Sequence, residues 1–361
     1  ASQSVWADRS GDTVRLDIDG VQYLWEADAL TKVTYEGSAA RFQGMGRPTR
    51  PLIRVENGTH DAVHRVETSG ATTLAFSDPA QLVGPSYLDL AADRLVGYSI
   101  NLANDDSYFW TRKVTPDAIG DESRLGGQGY VLASAARVFT AETGGMRFYD
   151  RGRLTVTGPL VSSLVAASGP YVMTGGSRTM DRTIRTSSGP VTATNPVTIF
   201  GSRYVGRGPD VKGRPRLFVK DLAKPAASAI SFSPPQVSGT WVPSLTAAWG
   251  DWVALSVWDD ATREMDIYFY NYVTAAPPTR FRGGDLVELG DGVALISESV
   301  ADDGRTVLFN YLTNDRTALD QRATQASLDD GDHVAYIEEN GIAVATVPGM
   351  GLSAPRLLGT V

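Results

Sequence analysis

The sequence Gly-Asp-Trp-Val-Ala-Leu at residues 250–255 returns as Gly-Asp-Gly-Val-Ala-Leu at residues 290–295 and as Gly-Asp-His-Val-Ala-Tyr at residues 331–336. The central valines of these three copies are 40 and 41 residues apart. Each copy is a polar turn followed by a short apolar run, which is typical of a turn that leads into a β-strand. A period of about forty residues with only turn and strand signals suits one four-stranded propeller blade. The repeat therefore predicts an all-β fold, a single β-propeller.

Weaker copies of the same phrase bring the total to nine. They are centred on Val14, Val63, Val96, Val131, Val172 and Val205. The gap from Val96 to Val131 is 35 residues and the gap from Val172 to Val205 is 33, which is short for a complete blade. We therefore expect some copies to be spurious or to lie in reduced blades. Because propellers usually have about four to eight blades, we predict seven or eight.

The repeat also predicts how the chain is organised. It runs from about residue 11 to the end without a linker-like break, so residues 1–361 are predicted to form one domain. Residues 11–21 are similar to residues 331–342, and we expect the N-terminal strands to complete the last blade. Such an arrangement would remove exposed sheet edges. The proline- and serine-rich residues 226–243 are interpreted as a long connection between blades.

Composition limits the class of partner and the compartment. The net charge of −8 and the pI near 5.0 argue against a nucleic-acid partner. No apolar run is long enough to span a membrane, so we predict no membrane span. The chain has no cysteine, and only five of its 33 basic residues are lysines, a bias typical of GC-rich bacterial genomes. A chain that begins at Ala1 fits a secreted or periplasmic protein after signal removal, or a trimmed one. We expect an extracytoplasmic bacterial monomer.

Two segments resemble a phrase of known bacterial propellers. Residues 299–309 read Ser-Val-Ala-Asp-Asp-Gly-Arg-Thr-Val-Leu-Phe, and residues 327–336 read Ser-Leu-Asp-Asp-Gly-Asp-His-Val-Ala-Tyr. Both are similar to the Ser-Pro-Asp-Gly-Lys/Arg phrase of TolB-like, WD40-like (PD40-type) propellers, although both lack its proline. The resemblance implies a propeller that binds other molecules, often proteins, in the bacterial envelope. It implies no catalytic residues, because this family has no shared catalytic set.

Motifs for catalysis or cofactor binding are absent from the sequence. It contains no Gly-x-Ser-x-Gly elbow and no Walker A phosphate loop. His60 and His64 are four residues apart, but the segment is predicted as strand and turn, and a metal site would need further ligands. We interpret both as surface histidines. The sequence therefore predicts no catalytic residue, no metal and no cofactor.

Aromatic residues are concentrated in one predicted blade. They are Trp241, Trp249, Trp252, Trp258, Tyr268, Tyr270 and Tyr272. Aromatic faces stack on sugar rings, so a lectin-like site is one interpretation. Packing between blades is the favoured interpretation, because strand alternation places the three tyrosines on one face of their sheet.

Basic side chains follow two neighbouring valine strands, and they form the predicted ligand-binding site. The residues are Arg178, Arg182, Arg207, Lys212 and Arg214. Because arginine forks match carboxylates and phosphates, we predict a basic sector that binds an acidic glycan or an acidic segment of a protein partner. The alternative is a set of ordinary solvated turns.

The leading functional hypothesis is a non-catalytic binding or scaffolding propeller. The alternative is a carbohydrate-active enzyme or lectin on a propeller scaffold, and a third class is a subunit of a protein complex. Two or more carboxylates converging with an arginine or histidine in a deep pocket would favour the enzyme. A large exposed apolar patch would favour the complex subunit.

Overall fold

The computed structural model shows β-strands throughout the part of the chain that it describes. The described residues are 5–10, 13–18, 21–26, 29–37, 39–42, 51–57, 60–77, 81–83, 87–89, 94–101, 106–115, 118–126, 129–134, 137–142, 145–150, 153–158, 161, 163–175, 181–211, 214–232, 239–274, 276–298, 305–318, 327–329, 333–338, 341–346 and 356–359. In several strands, including those nearest both chain ends, only the backbone is described.

The chain divides into two compact units. The C-terminal unit comprises Ala1–Asp19, Trp25–Leu30 and Thr194–Val361, and the N-terminal unit comprises Gly20–Leu24 and Thr31–Ala193. The first sheet has residues in both units. Its strands are β1 (Val5–Ser10), β2 (Thr13–Ile18), β3 (Val21–Glu26) and β4 (Ala29–Lys32).

Four sheets belong to the N-terminal unit. Their strands are β5 (Ala39–Phe42), β6 (Leu52–Asn57), β7 (His60–Val66), β8 (Thr72–Ser77), β9 (Gln81–Val83), β10 (Tyr87–Asp89), β11 (Arg94–Asn101), β12 (Asp106–Val114), β13 (Ile119–Gly126), β14 (Gly129–Ser134), β15 (Arg137–Glu142), β16 (Gly145–Asp150), β17 (Arg153–Thr157), β18 (Leu164–Ser168), β19 (Tyr171–Thr174), β20 (Thr183–Thr186) and β21 (Gly189–Val191).

Four further sheets belong to the C-terminal unit. Their strands are β22 (Pro196–Phe200), β23 (Arg203–Val211), β24 (Arg214–Asp221), β25 (Ile230–Phe232), β26 (Gly239–Trp241), β27 (Ala247–Trp249), β28 (Trp252–Asp259), β29 (Glu264–Asn271), β30 (Thr279–Phe281), β31 (Gly284–Leu289), β32 (Val293–Glu298), β33 (Arg305–Asn310), β34 (Asp315–Ala318), β35 (Ser327–Asp329), β36 (His333–Glu338), β37 (Gly341–Thr346) and β38 (Arg356–Gly359).

Each sheet is an up-and-down arrangement of strands in chain order. The described ladders within the sheets are antiparallel, as between β31, β32, β33 and β34. Seven of the nine described sheets have four strands and two have five. In the two larger sheets the first strand is interrupted, because β9 and β10 both pair with β11, and β26 and β27 both pair with β28. A short 3₁₀ helix, Pro243–Leu245, separates β26 from β27.

The repeated valines mark the second strand in most of the sheets. Val14, Val96, Val172, Val205, Val253, Val293 and Val334 lie on β2, β11, β19, β23, β28, β32 and β36. The two other copies are not equivalent to these. Val63 lies on β7, the third strand of its sheet, and Val131 lies on β14, the first strand of its sheet. This shift explains the short gap between Val96 and Val131.

Apolar side chains fill the space between consecutive sheets of the C-terminal unit. Alternate residues of β28 face in opposite directions, as the pleat of a strand requires. Val253, Leu255 and Val257 pack in one core with Val205 and Leu217 of the preceding sheet. On the other face of β28, a second core joins Ala254, Ile267 and Phe269 to Ala294, Ile296, Val307 and Phe309 of the following sheet.

The N-terminal unit is built in the same way. Leu52 and Val63 pack against Leu95, Tyr108 and Trp110 of the next sheet. A further core joins Phe139, Met146 and Phe148 to Val172. Every core described in this unit therefore lies between sheets, where β-branched and aromatic residues of the strands meet.

The predicted fold class, an all-β propeller, is confirmed, because successive four-stranded antiparallel sheets are the blade unit of that fold. The predicted seven or eight blades are not confirmed, since the described strands form nine sheets. Strands β1–β4 form one sheet and β35–β38 form another, so the described ladders do not include the expected completion of the last blade by N-terminal strands. The single domain spanning residues 1–361 stays a prediction.

Candidate functional site

A pocket of about 500 Å³ lies between two hairpin turns of the C-terminal unit. It is lined by Phe200, Gly201, Ser202 and Arg203 from the hairpin of β22 and β23, and by Ala248, Trp249 and Gly250 from the hairpin of β27 and β28. The two hairpins begin neighbouring sheets that share a core, so their turns lie side by side.

Glycines shape both turns. Gly201 has φ of 53° and Gly250 has φ of 54°, a conformation that L side chains rarely adopt. In each turn the glycine is the first of two loop residues, which is the position where two-residue hairpins favour positive φ. The Gly201-Ser202 and Gly250-Asp251 pairs thus form tight turns, and these two turns form the rims of the pocket.

Arg203 is the best-anchored polar side chain in this pocket. Its Nη1 donates to the Gly250 carbonyl oxygen at 3.3 Å, to Asp251 Oδ1 at 3.3 Å and to the Tyr272 hydroxyl oxygen at 2.5 Å. The Tyr272 hydroxyl in turn donates to the Gly250 carbonyl oxygen at 2.8 Å. Burial lowers the pKa of Arg203, but Tyr272 and Asp251 outweigh that effect and raise it. The guanidinium is therefore charged and held in one orientation.

The remaining nitrogens of Arg203 are available to a ligand. Among the described residues, the hydrogen bonds of this side chain all use Nη1. The side chain is 41% exposed, and Nε and Nη2 are the donors that the described contacts leave for a ligand. A guanidinium fixed along one edge and open along another is a preorganised donor pair.

A capped carboxylate lies at the rim of the pocket. The Ser202 hydroxyl and the Ala223 backbone N–H both donate to Asp221 Oδ1 at 2.9 Å. These two hydrogen bonds lower the pKa of Asp221 below its ordinary value. Asp221 is therefore a turn-capping acceptor that stays ionised at neutral pH, which does not suit a general acid.

A second charged cluster brings two carboxylates to one arginine. Arg280 donates from Nε to Asp266 Oδ2 at 3.0 Å and also from Nη2 to the same oxygen, and Nη2 lies 3.7 Å from Asp259 Oδ2. The other oxygen of Asp266 accepts the Gly283 N–H at 3.2 Å. Asp259 Oδ1 accepts the Ala261 N–H at 2.9 Å. Because these oxygens already accept hydrogen bonds, the cluster holds β29 to β30 and to the β30–β31 connection.

The structure describes only part of the predicted basic sector. Arg178 and Lys212 lie outside the described residues, and only the backbone of Arg214 is described. Arg182 belongs to the N-terminal unit, and burial lowers its pKa. Arg207, in the C-terminal unit, places its guanidinium 5.4 Å from the ring centroid of Trp241. The basic sector as a ligand site therefore stays a prediction.

Some of the clustered aromatic side chains are packed in cores between sheets, and others are exposed to solvent. Tyr268, Tyr270 and Tyr272 are buried in the core between two sheets, as predicted for a packing stripe. Trp241 packs against that core, and Trp252 lies 4.9 Å from Tyr311 in the next one. Trp249 and Trp258 are 38% and 39% exposed. Of this pair, Trp249 lines the pocket beside Arg203.

His64 differs from its sequence interpretation as a surface histidine. It lies in the middle of β7 opposite Ile53, and its Nδ1 is buried without a hydrogen-bond partner among the described residues. Burial lowers its pKa. The side chain of His60 is not described. No group of three or more His, Asp or Glu side chains within the described ranges could hold a metal ion.

Sequence reasoning missed the residues of this pocket. Arg203, Asp251 and Tyr272 come from different strands and turns, and no short motif joins them. One signal was present: the Asn-Tyr pair at residues 271–272 recurs at residues 310–311. In both copies the tyrosine hydroxyl donates to the carbonyl of the glycine that starts the repeat, Gly250 or Gly290.

Comparisons with known proteins give the fold and no family. No protein-family model matches the chain. No curated protein sequence matches it either. Within the described residues, no helix has the length and apolar character needed to cross a membrane.

Solved structures similar to this chain share little sequence with it. The crystal structure of a eukaryotic initiation factor is 10% identical, with 98% of this chain and 95% of that chain covered and a TM-score of 0.53. A prolyl endopeptidase is 12% identical, with coverage of 96% and 55% and a TM-score of 0.49. An uncharacterized protein from Listeria monocytogenes is 10% identical, with coverage of 90% and 96% and a TM-score of 0.47. At this level of identity the likeness shows the fold alone and assigns no activity.

Proposed function

We propose that this chain is a non-catalytic binding propeller, extracytoplasmic in a bacterium, whose ligand occupies the pocket of Arg203 and Trp249. The observation that carries the proposal is the fixed guanidinium. Three acceptors hold Nη1 of Arg203, while Nε and Nη2 are left for a ligand. Orienting a donor before the ligand arrives reduces the entropy lost on binding, which favours recognition.

The charged groups around this pocket are suited to binding and not to proton transfer. Arg203 is paired with Asp251, and Asp221 is capped by Ser202 and Ala223. A general acid or base needs a pKa near the working pH, whereas the pKa of Asp221 is lowered away from that range. The Ser202 hydroxyl donates to Asp221, but a carboxylate with a lowered pKa is a weak base and does not activate a hydroxyl effectively.

The extracytoplasmic location rests on the resemblance to envelope propellers. The TolB-like phrases at residues 299–309 and 327–336 favour that compartment and, with it, a protein partner on another surface. The few lysines relative to arginines favour a bacterial source. Expression of the full reading frame in a bacterium, followed by fractionation, would find the protein in the periplasm or medium, whereas recovery only in the cytoplasm would contradict this part.

A carbohydrate-active enzyme is the second candidate, and the cluster of Asp259, Asp266 and Arg280 favours it. Glycosidases use a pair of carboxylates at the bond that they cleave, and this cluster places two carboxylates near one cation. However, Asp266 is 4% exposed and both of its oxygens accept hydrogen bonds, so it is more suited to bracing the sheet.

Titration calorimetry with saccharides and peptides would separate the two candidates. A binding protein gives heat that saturates at a fixed stoichiometry, and mass spectrometry then recovers the ligand unchanged. Arg203→Lys should weaken binding by roughly tenfold, because a fork that donates two hydrogen bonds becomes a point charge. Arg216→Lys, an exposed arginine of the same sheet, is the matched control. Continuing heat release with product formation, abolished in a folded Asp266→Asn variant, would establish the enzyme instead.

A further inference from the structure

The charges at the Arg203 pocket cancel, and this limits the ligand. The positive charge of Arg203 is opposed by Asp251, whose Oδ1 lies 3.3 Å from Nη1. The nearby Asp221 also interacts with Arg203 and with Lys224. Two cations and two anions leave no net charge, so the local field does not favour a carboxylate or phosphate over a neutral group. This differs from the basic sector expected from the sequence, which lacks Arg203.

The polar lining supplies donors and acceptors together. Arg203 offers Nε and Nη2 as donors, and the hydroxyl oxygen of Ser202, which donates its own proton to Asp221, can accept a hydrogen bond on the same lining. A hydroxyl group both donates and accepts hydrogen bonds. A ligand with several hydroxyls therefore matches this lining better than a group that only accepts.

The rest of the wall is apolar. Phe200 lies in edge contact with Tyr272, with ring centroids 6.5 Å apart, and Ala248 and Trp249 lie opposite on the other hairpin. Trp249 is 38% exposed, so part of its ring is open to a ligand in the pocket. A pyranose ring has an edge of hydroxyls and a face of C–H groups, and it combines the two properties of this wall.

We infer that the pocket binds a neutral sugar residue, held by the Arg203 fork at its hydroxyl edge and by the Phe200–Trp249 wall at its C–H face. This inference rests on the proposed binding function and names its ligand class. A pocket of about 500 Å³ holds one or two pyranose rings, so the site suits the end of a neutral glycan.

Saturation-transfer NMR on the whole protein tests the inference. The neutral probes are the methyl α-D-glycosides of glucose, galactose and mannose, together with N-acetyl-D-glucosamine. Glucuronate and galacturonate are the anionic probes. We expect saturation of the ring C–H protons of at least one neutral probe, with a Kd near the millimolar range that is typical of single weak sites.

Pocket variants with matched controls locate the binding. Arg203→Lys and Trp249→Ala should each weaken the neutral sugar by at least about tenfold. Arg216→Lys and Trp258→Ala, the latter equally exposed and outside the pocket lining, should leave it unchanged. Melting curves of all four variants show whether the fold is retained, and Phe200→Leu replaces Trp249→Ala if that variant unfolds.

The outcomes separate this inference from the proposed function. Uronate binding that depends on Arg203, without neutral sugar binding, would overturn the sugar class and keep a binding protein. Neutral sugar binding that survives both pocket variants, or no binding of any probe, would also overturn the inference. Conversion of a bound probe into a product would overturn the proposed function itself.

Discussion

At the scale of residues, a tyrosine hydroxyl fastens the first turn of its own sheet in each of two successive repeats. The Tyr311 hydroxyl donates to the Gly290 carbonyl at 2.6 Å and accepts the Gly292 N–H at 2.7 Å. Tyr272 makes the equivalent bond to Gly250. Tyr270, two residues earlier, buries its hydroxyl without a hydrogen-bond partner among the described residues. A buried tyrosine hydroxyl thus stabilises the fold at Tyr311, where it is hydrogen-bonded, and costs desolvation energy at Tyr270, where it has no described partner.

Removing these hydroxyls one at a time should give opposite results. Tyr311→Phe leaves the Gly290 carbonyl and the Gly292 N–H buried without their partner, so we expect the free energy of unfolding to fall by about 1–3 kcal/mol. Tyr270→Phe removes a hydroxyl that has no partner, and stability should stay equal or rise slightly. Urea denaturation at pH 7 measures both, and a loss of similar size in Tyr270→Phe would show that its hydroxyl is bonded after all.

The same tyrosines predict sensitivity to alkaline pH. Burial raises the pKa of Tyr270 and of Tyr311 above the ordinary value of 10.0. Their contribution is complete below pH 10 and is lost as pH rises, because the unfolded chain releases these protons first. Each such tyrosine should steepen the fall in stability by about 1.4 kcal/mol per pH unit. Tyr270→Phe should lessen that slope increasingly above pH 10, by nearly one proton at about pH 11, and an unchanged slope would contradict the assignment.

The roles of individual residues were harder to predict from the sequence than the fold. The tyrosine stripe of β29 followed from alternation alone, since a pleated strand sends every second side chain to one face. Arg203 could not be found in that way. Its role depends on Asp251 and Tyr272, which are 48 and 69 residues away along the chain and meet it only through the packing of two sheets.

At the scale of elements, two hairpin turns share the same backbone hydrogen bond and end on a residue with positive φ. In each, a backbone N–H donates across four residues, from Arg263 to the Asp259 carbonyl and from Asn314 to the Asn310 carbonyl, both at 2.8 Å. The last residue adopts a positive φ, 59° for Arg263 and 65° for Asn314. Asparagine tolerates this conformation far better than arginine does.

Replacing these residues with glycine tests the strain. Arg263→Gly should raise the free energy of unfolding by up to about 1 kcal/mol, because the left-handed conformation costs arginine more than glycine loses in entropy. Asn314→Gly is the matched variant and should change stability less. Thermal melting at neutral pH gives both values, and a destabilised Arg263→Gly protein would mean that the arginine side chain makes a contact worth more than the strain.

Strands with a clear Gly-Asp-x-Val phrase were predictable, and interrupted ones were not. The phrase located β28, β32 and β36 correctly because turn chemistry and apolar alternation agree there. Residues 226–243 were interpreted as a connection, yet they contain β25 and β26. Each of these strands has only three residues, and prolines lie in the chain between and after them, so the sequence signal of these strands is weak.

At the scale of the whole molecule, cores between sheets supply the stability, and we expect that folding needs no metal. Successive sheets of the C-terminal unit bury both faces of β28, with Val253 and Ala254 fully buried on opposite sides. The all-β class followed from the forty-residue period. The sheet count did not, although each of the nine described sheets holds one valine copy, because the uneven gaps between copies led to a prediction of seven or eight.

A chelator should therefore leave the protein intact. We expect EDTA to change the melting temperature by less than about 5 °C, which corresponds to roughly 1–2 kcal/mol for a protein of this size. Differential scanning calorimetry with and without the chelator, and with calcium restored, measures this. A larger drop that calcium reverses would reveal a structural cation in the aspartate-rich turns.

The central claim is that the pocket between the hairpins 200–203 and 249–252 binds its ligand without changing it. A crystal structure of the protein with the neutral sugar that binds most tightly tests this most directly. We expect an intact sugar whose hydroxyls contact Nε and Nη2 of Arg203 and whose C–H face lies against Trp249 or Phe200. A sugar bound elsewhere, or a cleaved sugar beside Asp259 and Asp266, would contradict it.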